Sequence, residues 1–214
     1  EGRMNEMSRC VILSACPVQP ELKRLLRSDD FIIACDAGYR NCERLGCKPD
    51  IIVGDFDSAP CPQQNADDIV VLPHVKDDTD TEYAAKLAAQ KGFDEVLLLG
   101  ALGGKRVEHT LANLCTGLGL EQRGVRTTLL DERSRITYVM PGETRRYPKE
   151  KYFFFSAFPM EGRAEGVWER GSFYELTDAV LTAGYPLGVS NEYADGSDCI
   201  TISTQKGALV VVET

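Results

Sequence analysis

Short apolar runs alternate with helical patterns from the start of the chain through Leu130. Cys10 to Ser14, Phe31 to Cys35, Ile51 to Val53, Ile69 to Leu72, Val96 to Leu99 and Val125 to Leu130 have strand length and little polar interruption. Such runs are what strands covered on both faces require. Between them, Glu21 to Arg27 puts Leu22, Leu25 and Leu26 on one helical face, and Tyr39 to Leu45 stops at Gly46, a natural C-cap. Tyr83, Ala84, Leu87 and Ala88 form the inner stripe of a third helix, and Leu111, Leu114, Cys115 and Leu118 that of a fourth. This rhythm predicts an α/β domain with a mainly parallel sheet over residues 1–134.

From Arg135 onward the helical period disappears. Ile136 to Met140, Tyr152 to Phe155, Cys199 to Ser203 and Leu209 to Val212 are β-rich, and Ile200 and Ile202 alternate with Thr201 and Ser203 as a strand buried on one face does. Turn glycines and prolines punctuate the segment, including Pro141-Gly142, Pro159, Gly184, Pro186 and Gly207. Residues 135–214 therefore read as a small C-terminal β-sandwich following the α/β domain.

Composition narrows the chemistry. A net charge of −9 over 214 residues argues against nucleic acid or an anionic membrane as the main partner. An acidic protein that handles phosphates would need a metal to do so. No apolar run approaches the roughly 20 residues of a membrane span, and Glu1 to Ser8 lacks a signal-peptide pattern, so the expected compartment is the cytoplasm. The eight cysteines include no C-x-x-C pair, and with only His74 and His109 they make a poor zinc set; they read as reduced thiols.

In parallel sheets, ligands bind beyond the carboxyl ends of the strands, so the stretches after each apolar run are the places to search. Asp50-Ile51-Ile52-Val53-Gly54-Asp55-Phe56-Asp57-Ser58 is an apolar run that delivers two carboxylates. Were the run to continue as a strand, Asp55 and Asp57 would share one side and Phe56 would face the core. No Lys or Arg lies between Lys48 and Lys76, so a hard divalent cation such as Mg²⁺ is the economical partner. A solvated Asx-turn is the competing explanation. Asp36-Ala37-Gly38 follows the second run; glycine there allows close backbone approach, and Asp36 either accepts a hydrogen bond from a ligand or caps a helix.

Lys76-Asp77-Asp78-Thr79-Asp80-Thr81-Glu82 follows the fourth run, and Thr79-x-x-Glu82 fits a capping box. A helix start also favours phosphate, and Asp80 there is placed to give a third carboxylate to the same metal. Gly100-Ala101-Leu102-Gly103-Gly104-Lys105-Arg106 follows the fifth run and fits neither the dinucleotide fingerprint nor the Walker A loop. Its glycines and two cations nonetheless suit a polyphosphate chain. His109 and Asn113 share a helical face behind it. A histidine in such a place serves as a structural hydrogen-bonder more often than as a base.

Taken together, Asp36-Ala37-Gly38, Gly54-Asp55-Phe56-Asp57-Ser58, Lys76 to Asp80, Gly100 to Asn113 and Gly188-Val189-Ser190-Asn191-Glu192 resemble, in order and spacing, the thiamine pyrophosphokinase family of bacterial type. The resemblance spans nearly the whole chain. It implies transfer of a pyrophosphoryl group from ATP to the hydroxyl of thiamine, giving thiamine diphosphate and AMP. It also implies a homodimer with the thiamine site at the subunit interface. By that resemblance Asp55, Asp57 and Asp80 hold Mg²⁺ and are the catalytic set, with Asp78 or Lys76 nearby. Asp36, Gly38, Gly54, Ser58, Gly103, Gly104, Lys105, Arg106, His109 and Asn113 belong to the ATP and phosphate site, and Ser190, Asn191 and Glu192 to the thiamine site.

The chain departs from the family pattern in two places. The usual Gly-Gly-Arg-x-Asp-His is here Gly103-Gly104-Lys105-Arg106-Val107-Glu108-His109, with Lys105 inserted and Glu108 in place of Asp. No tryptophan lies near the C-terminus to stack on thiamine; the single one is Trp168. Two other readings compete: a diphosphokinase for another acceptor such as a hydroxymethylpterin, and a non-enzymatic nucleotide- or vitamin-binding module.

Overall fold

The computed structural model describes residues 8–56, 68–73 and 77–214. It divides into two compact units, one ending at Glu132 and one running from Arg133 to Thr214.

In the first unit six strands, β1 (Arg9–Leu13), β2 (Phe31–Cys35), β3 (Ile51–Gly54), β4 (Asp68–Val71), β5 (Glu95–Leu99) and β6 (Arg126–Leu130), form a parallel sheet in the order β6-β5-β1-β2-β3-β4. Every residue of central β1 is buried, whereas edge strand β4 leaves Val71 67% exposed. This is why the inner strands read as unbroken apolar runs. The polar Arg9 in β1 is satisfied by two 2.7 Å hydrogen bonds to Asp30 and one to the Leu25 carbonyl. Helices α1 (Tyr39–Leu45), α2 (Asp80–Gln90) and α3 (Val107–Glu121) accompany the sheet. Gly46 ends α1 at φ 61°, the left-handed cap its position predicts. From β1 the chain builds β2 to β4 on one side of the sheet and β5 and β6 on the other, so the order switches between β1 and β5.

The helices differ in part from what the sequence pattern predicts. The stretch around Leu22 is a 3₁₀ helix, Pro20–Leu25, that buries only Leu22. In α3 the buried residues are Asn113, Thr116, Gly117, Leu120 and Glu121, while Leu111 is 59% exposed and Cys115 is exposed. Polar side chains turn inward there because they have partners. Asn113 Nδ2 donates to the Ala101 carbonyl at 2.7 Å, and Thr116 Oγ1 to Glu82 Oε2 at 2.7 Å. In α2 the anticipated Ala84 and Ala88 are buried, joined by Ala85.

The second unit contains β7 (Arg135–Val139), β8 (Thr144–Pro148), β9 (Phe154–Pro159), β10 (Arg163–Arg170), β11 (Leu176–Thr182), β12 (Asn191–Glu192), β13 (Cys199–Ser203) and β14 (Leu209–Glu213). Strands pair antiparallel as β12-β9-β14-β7 and as β11-β10-β13-β8. Val139, Phe155, Ala157, Leu209 and Val211 from the first set pack with Tyr147, Val167, Leu181, Ile200 and Ile202 from the second, which makes a β-sandwich. Ile200 and Ile202 are fully buried, as their alternation requires. Strand β10 is hidden in the sequence because register shifts around Val167 break its period. Gly166 sits in that irregularity at φ 63°, where a Cβ would come within 2.8 Å of the Gln205 side chain.

Candidate functional site

The carboxyl ends of β1, β2, β3 and β5 and the start of α2 meet at one corner of the first unit. After β1, the Ser14 N–H donates to the Leu99 carbonyl at 2.8 Å and the Cys16 N–H to Gly100 at 3.0 Å, so the β1–β5 crevice is laced together for two residues past the strands. Asn41, fully buried on α1, fixes this lacing. Its Nδ2 donates to the Ser14 and Cys16 carbonyls at 2.7 and 2.8 Å, and its Oδ1 accepts from the Val18 N–H at 3.2 Å. The sequence offers no sign of this role, since its partners lie 23 to 27 residues away. Gly100, at φ 66°, passes so close that a Cβ would lie 2.5 Å from the Cys16 carbonyl oxygen.

Asp36 follows β2 with φ 45° and is only 9% exposed. A left-handed backbone at a buried aspartate is a strained arrangement of the kind that clusters at functional sites. Gly54 makes room for it, and Gly38 makes room for the end of β1. A Cβ on Gly38 would fall 1.9 Å from the Leu13 carbonyl oxygen, and one on Gly54 would lie 3.1 Å from Asp36 Cα. Both glycines thus answer close approach of neighbouring backbone in this fold. β3 ends at Gly54, and Phe56 has φ 55°, so the strand alternation expected for Asp55 and Asp57 does not hold. Phe56 nevertheless packs against the core, and Asp55 is half-buried at the strand end. Asp57, Ser58 and Lys76 lie outside the described residues.

Asp80 opens α2. The Thr79 side chain accepts from the Glu82 N–H at 3.1 Å, which is the capping half of the expected box. The helix start is pinned over the strand ends twice: Thr81 and Ser14 share a buried hydroxyl hydrogen bond of 2.8 Å, and the Cys35 thiol donates to the Asp80 carbonyl at 3.6 Å. The backbone at the ends of β2 and β3 and at the start of α2 therefore meets at one corner, while among the described residues no three His, Cys, Asp or Glu side chains are grouped closely enough to hold a metal ion. Burial raises the Cys35 thiol pKa, and the nearby negative charges of Asp80 and Asp36 raise it further. The sulfur stays protonated, so it offers no thiolate at this corner. Asp78 is engaged elsewhere, 2.6 Å from Lys86 Nζ.

The glycine loop after β5 is exposed from Gly103 through His109. Gly103 and Gly104 have φ 72° and 82°, as such a turn requires. The Gly103 N–H is already donated to Thr110 Oγ1 at 3.0 Å, which removes it from the phosphate amides. Arg106 Nε donates to Glu108 Oε1 at 2.7 Å, and this hydrogen bond lowers the Glu108 pKa. Both side chains are more than half exposed, so the pair is weak and Arg106 is available to an anion. Asn113 is buried and tethers the loop through Ala101, so it shapes the loop from behind.

In the second unit, Ser190 is exposed at φ 57°, with its N–H donated to Ser156 Oγ at 3.0 Å. Asn191 is only 5% exposed and its amide is committed within the protein. Its side chain thus holds the 190–192 segment from within the protein. Glu192 is half-buried and pairs with Phe154 through β12 and β9.

Comparison with known proteins decides the family. A model described as thiamin pyrophosphokinase, catalytic domain, matches residues 22–129, just over half of the chain. The chain belongs to the thiamin pyrophosphokinase family. A second model, thiamin pyrophosphokinase, vitamin B1 binding domain, matches residues 144–209. The thiamine pyrophosphokinase of Bacillus subtilis (strain 168) is 28% identical over 202 residues, covering 90% of this chain and 91% of that protein. The crystal structure of thiamine pyrophosphokinase from Bacillus subtilis superposes with a TM-score of 0.85 at 23% identity, covering 97% of this chain and 99% of that one. That from Geobacillus thermodenitrificans gives 0.83 at 25% identity, covering 96% and 97%. The family reaction, pyrophosphoryl transfer from ATP to thiamine, is thus the enzymatic activity of this chain.

Proposed function

We propose that transfer takes place at the corner formed by Asp36, Asp55 and Asp80, with Asp57 completing the acidic set. The observation that supports this reading is the meeting of the ends of β2 and β3 and the start of α2, which bear Asp36, Asp55 and Asp80, in a unit that also carries an exposed glycine-basic loop after β5. Asp55, Asp57 and Asp80 hold Mg²⁺, which when bound draws charge from the phosphate oxygens. Gly104, Lys105 and Arg106 bind the phosphate chain, a role we extend to Lys76, Ser58 and His109, and Asp36 accepts from a polar group of substrate. The thiamine hydroxyl oxygen forms a bond to the β-phosphorus of ATP as the bond from that phosphorus to the α–β bridging oxygen breaks. AMP leaves with that electron pair, and the hydroxyl proton passes to solvent. The work of the protein is positioning and charge stabilisation, so a strong base is not needed.

The match of residues 144–209 to a vitamin B1 binding domain favours thiamine over a pterin as acceptor. With ATP and Mg²⁺, thiamine is expected to be consumed while an equimolar hydroxymethylpterin is not, and excess EDTA is expected to stop turnover. Preferential pterin consumption, or full activity in EDTA, would contradict the assignment.

The second unit exposes Phe153, Phe154, Val180, Tyr185, Leu187 and Val189, each more than 40% accessible. So many exposed large apolar side chains on about 80 residues suit a buried interface. We assign them to a homodimer contact beside the thiamine site. Sedimentation equilibrium is expected to return twice the 23.6 kDa chain mass; a strictly monomeric mass across the concentration range would count against it.

A further inference from the structure

Strand β10 carries a carboxyl group where the sandwich offers it little. Glu169 is fully buried, and its strand neighbours across the sheet are Leu176 and Ile202. Its Oε2 accepts from Asn191 Nδ2 at 2.9 Å. Its Oε1 is buried and accepts no hydrogen bond among the described residues. A buried carboxyl group with half its acceptors unmet costs stability and calls for a reason.

The reason lies in what Asn191 does with the rest of its amide. Nδ2 also donates to the Tyr174 carbonyl at 2.8 Å, and Oδ1 accepts from the Tyr174 N–H at 3.0 Å and from the Glu192 N–H at 3.0 Å. One side chain thus clamps both backbone groups of Tyr174 to the 190–192 segment. The Phe173 N–H adds a 2.8 Å bond to the Glu192 carbonyl. Past the clamp, Phe173 and Tyr174 stand 57% and 66% exposed, packed edge to face with ring centroids 4.9 Å apart. A rigidly held pair of exposed rings is a surface for a flat or cationic partner, and the thiazolium of thiamine is both.

We infer that Glu169 is a positioning residue for the acceptor: through Asn191 it fixes the Tyr174 backbone and the 190–192 segment, and so presents Phe173 and Tyr174 as an aromatic wall for the thiamine ring. The inference rests on the reading of this unit as the thiamine-binding side of the enzyme. It also gives the clamp a pH dependence. Burial pushes the Glu169 carboxyl up to about 7, opposed by the Asn191 hydrogen bond, and no charged group takes part. The adjacent Arg170 is paired instead with Glu175, at 3.6 Å. Ionisation strengthens the Asn191 hydrogen bond itself but leaves a buried charge with Oε1 unmet, and opening of the strands around it to admit water loosens the clamp.

The test is steady-state kinetics of the protein with thiamine and ATP each varied at a saturating level of the other, from about pH 6 to about pH 8.5, together with amide hydrogen exchange. The wild type is expected to show a thiamine KM that rises several-fold through neutrality, with kcat and the ATP KM level. Glu169→Gln, which keeps an acceptor for Asn191 without the charge, holds the low KM across the range. Glu169→Ala raises the thiamine KM about tenfold at every pH, the scale of one lost hydrogen bond, and exposes the Tyr174 and Glu192 amides to exchange. Tyr174→Ala raises the thiamine KM and leaves exchange at Glu192 unchanged. Loss of amide protection in Glu169→Ala with an unchanged thiamine KM overturns the inference, as does an equal effect on kcat or on the ATP KM. Failure of the wild type to use thiamine at all contradicts the underlying reading, and the inference falls with it.

Discussion

Asp80→Asn is expected to lower kcat by about 10²–10³-fold in a protein that folds normally, the scale seen when a group stabilising transition-state charge is removed. The substitution preserves shape, and three contacts that seat the helix start do not use the Asp80 carboxylate. Thr81 still meets Ser14, the Cys35 thiol still donates to the backbone carbonyl of residue 80, and Thr79 still caps Glu82. Loss of a negative charge at a helix N-terminus costs about 0.3–1 kcal/mol, and relief of repulsion from Asp36 and Asp55 offsets part of it. The defect should therefore appear as weakened Mg²⁺ dependence and slow turnover at an almost unchanged melting temperature. Asp78→Asn is the matched control. Asp78 is engaged with Lys86, so the same change of charge two residues earlier is expected to alter kcat less than about threefold, the worth of a partly exposed ion pair. Equal kcat for Asp80→Asn and wild type, measured over a Mg²⁺ titration, would remove Asp80 from the metal site.

The second large effect is on stability. Glu169 titrates at about 7 in the folded protein against an ordinary 4.5. A carboxyl whose folded pKa is raised favours the protonated form in the native state. The stability that protonation contributes is complete below about 4.5 and is lost as pH rises through about 7. Between those limits each pH unit is worth roughly 1.4 kcal/mol, so the loss comes to about 3 kcal/mol. Chemical denaturation followed by the fluorescence of Trp168, the residue before Glu169 on β10, is expected to show the second unit weakening from about pH 5 to about pH 8. In Glu169→Gln the decline should flatten, and the variant should exceed wild type at the alkaline end. A wild-type profile that strengthens over this range, or one that Glu169→Gln leaves unaltered, would contradict the account of this group.

These two residues mark the boundary of what the sequence discloses. The strands of the first unit were legible because β1, β2, β3 and β5 are buried on both faces, so burial writes itself as an unbroken apolar run. The helix start at Asp80 was legible because Thr79-x-x-Glu82 spells a capping box, and the structure shows its capping half. Burial of polar side chains is different, because it depends on partners distant in the chain. Nothing in the pattern around Asn41 announces the Ser14 and Cys16 carbonyls, and nothing around Glu169 announces Asn191, 22 residues on. The same cause misassigned the inner face of α3, where Asn113 and Thr116 point inward to partners on other elements while Leu111 faces outward. The turn at Phe56 was missed because a left-handed residue between two aspartates leaves no mark on hydrophobic periodicity.

Whether this carboxylate corner moves a two-phosphate group to thiamine is tested most directly by ³¹P NMR of the products. With ATP, Mg²⁺ and thiamine, AMP and thiamine diphosphate are expected to appear in equal amounts from the first turnover, with the β- and γ-phosphorus of ATP both carried to the acceptor. Thiamine-dependent formation of ADP and a thiamine monophosphate would contradict it.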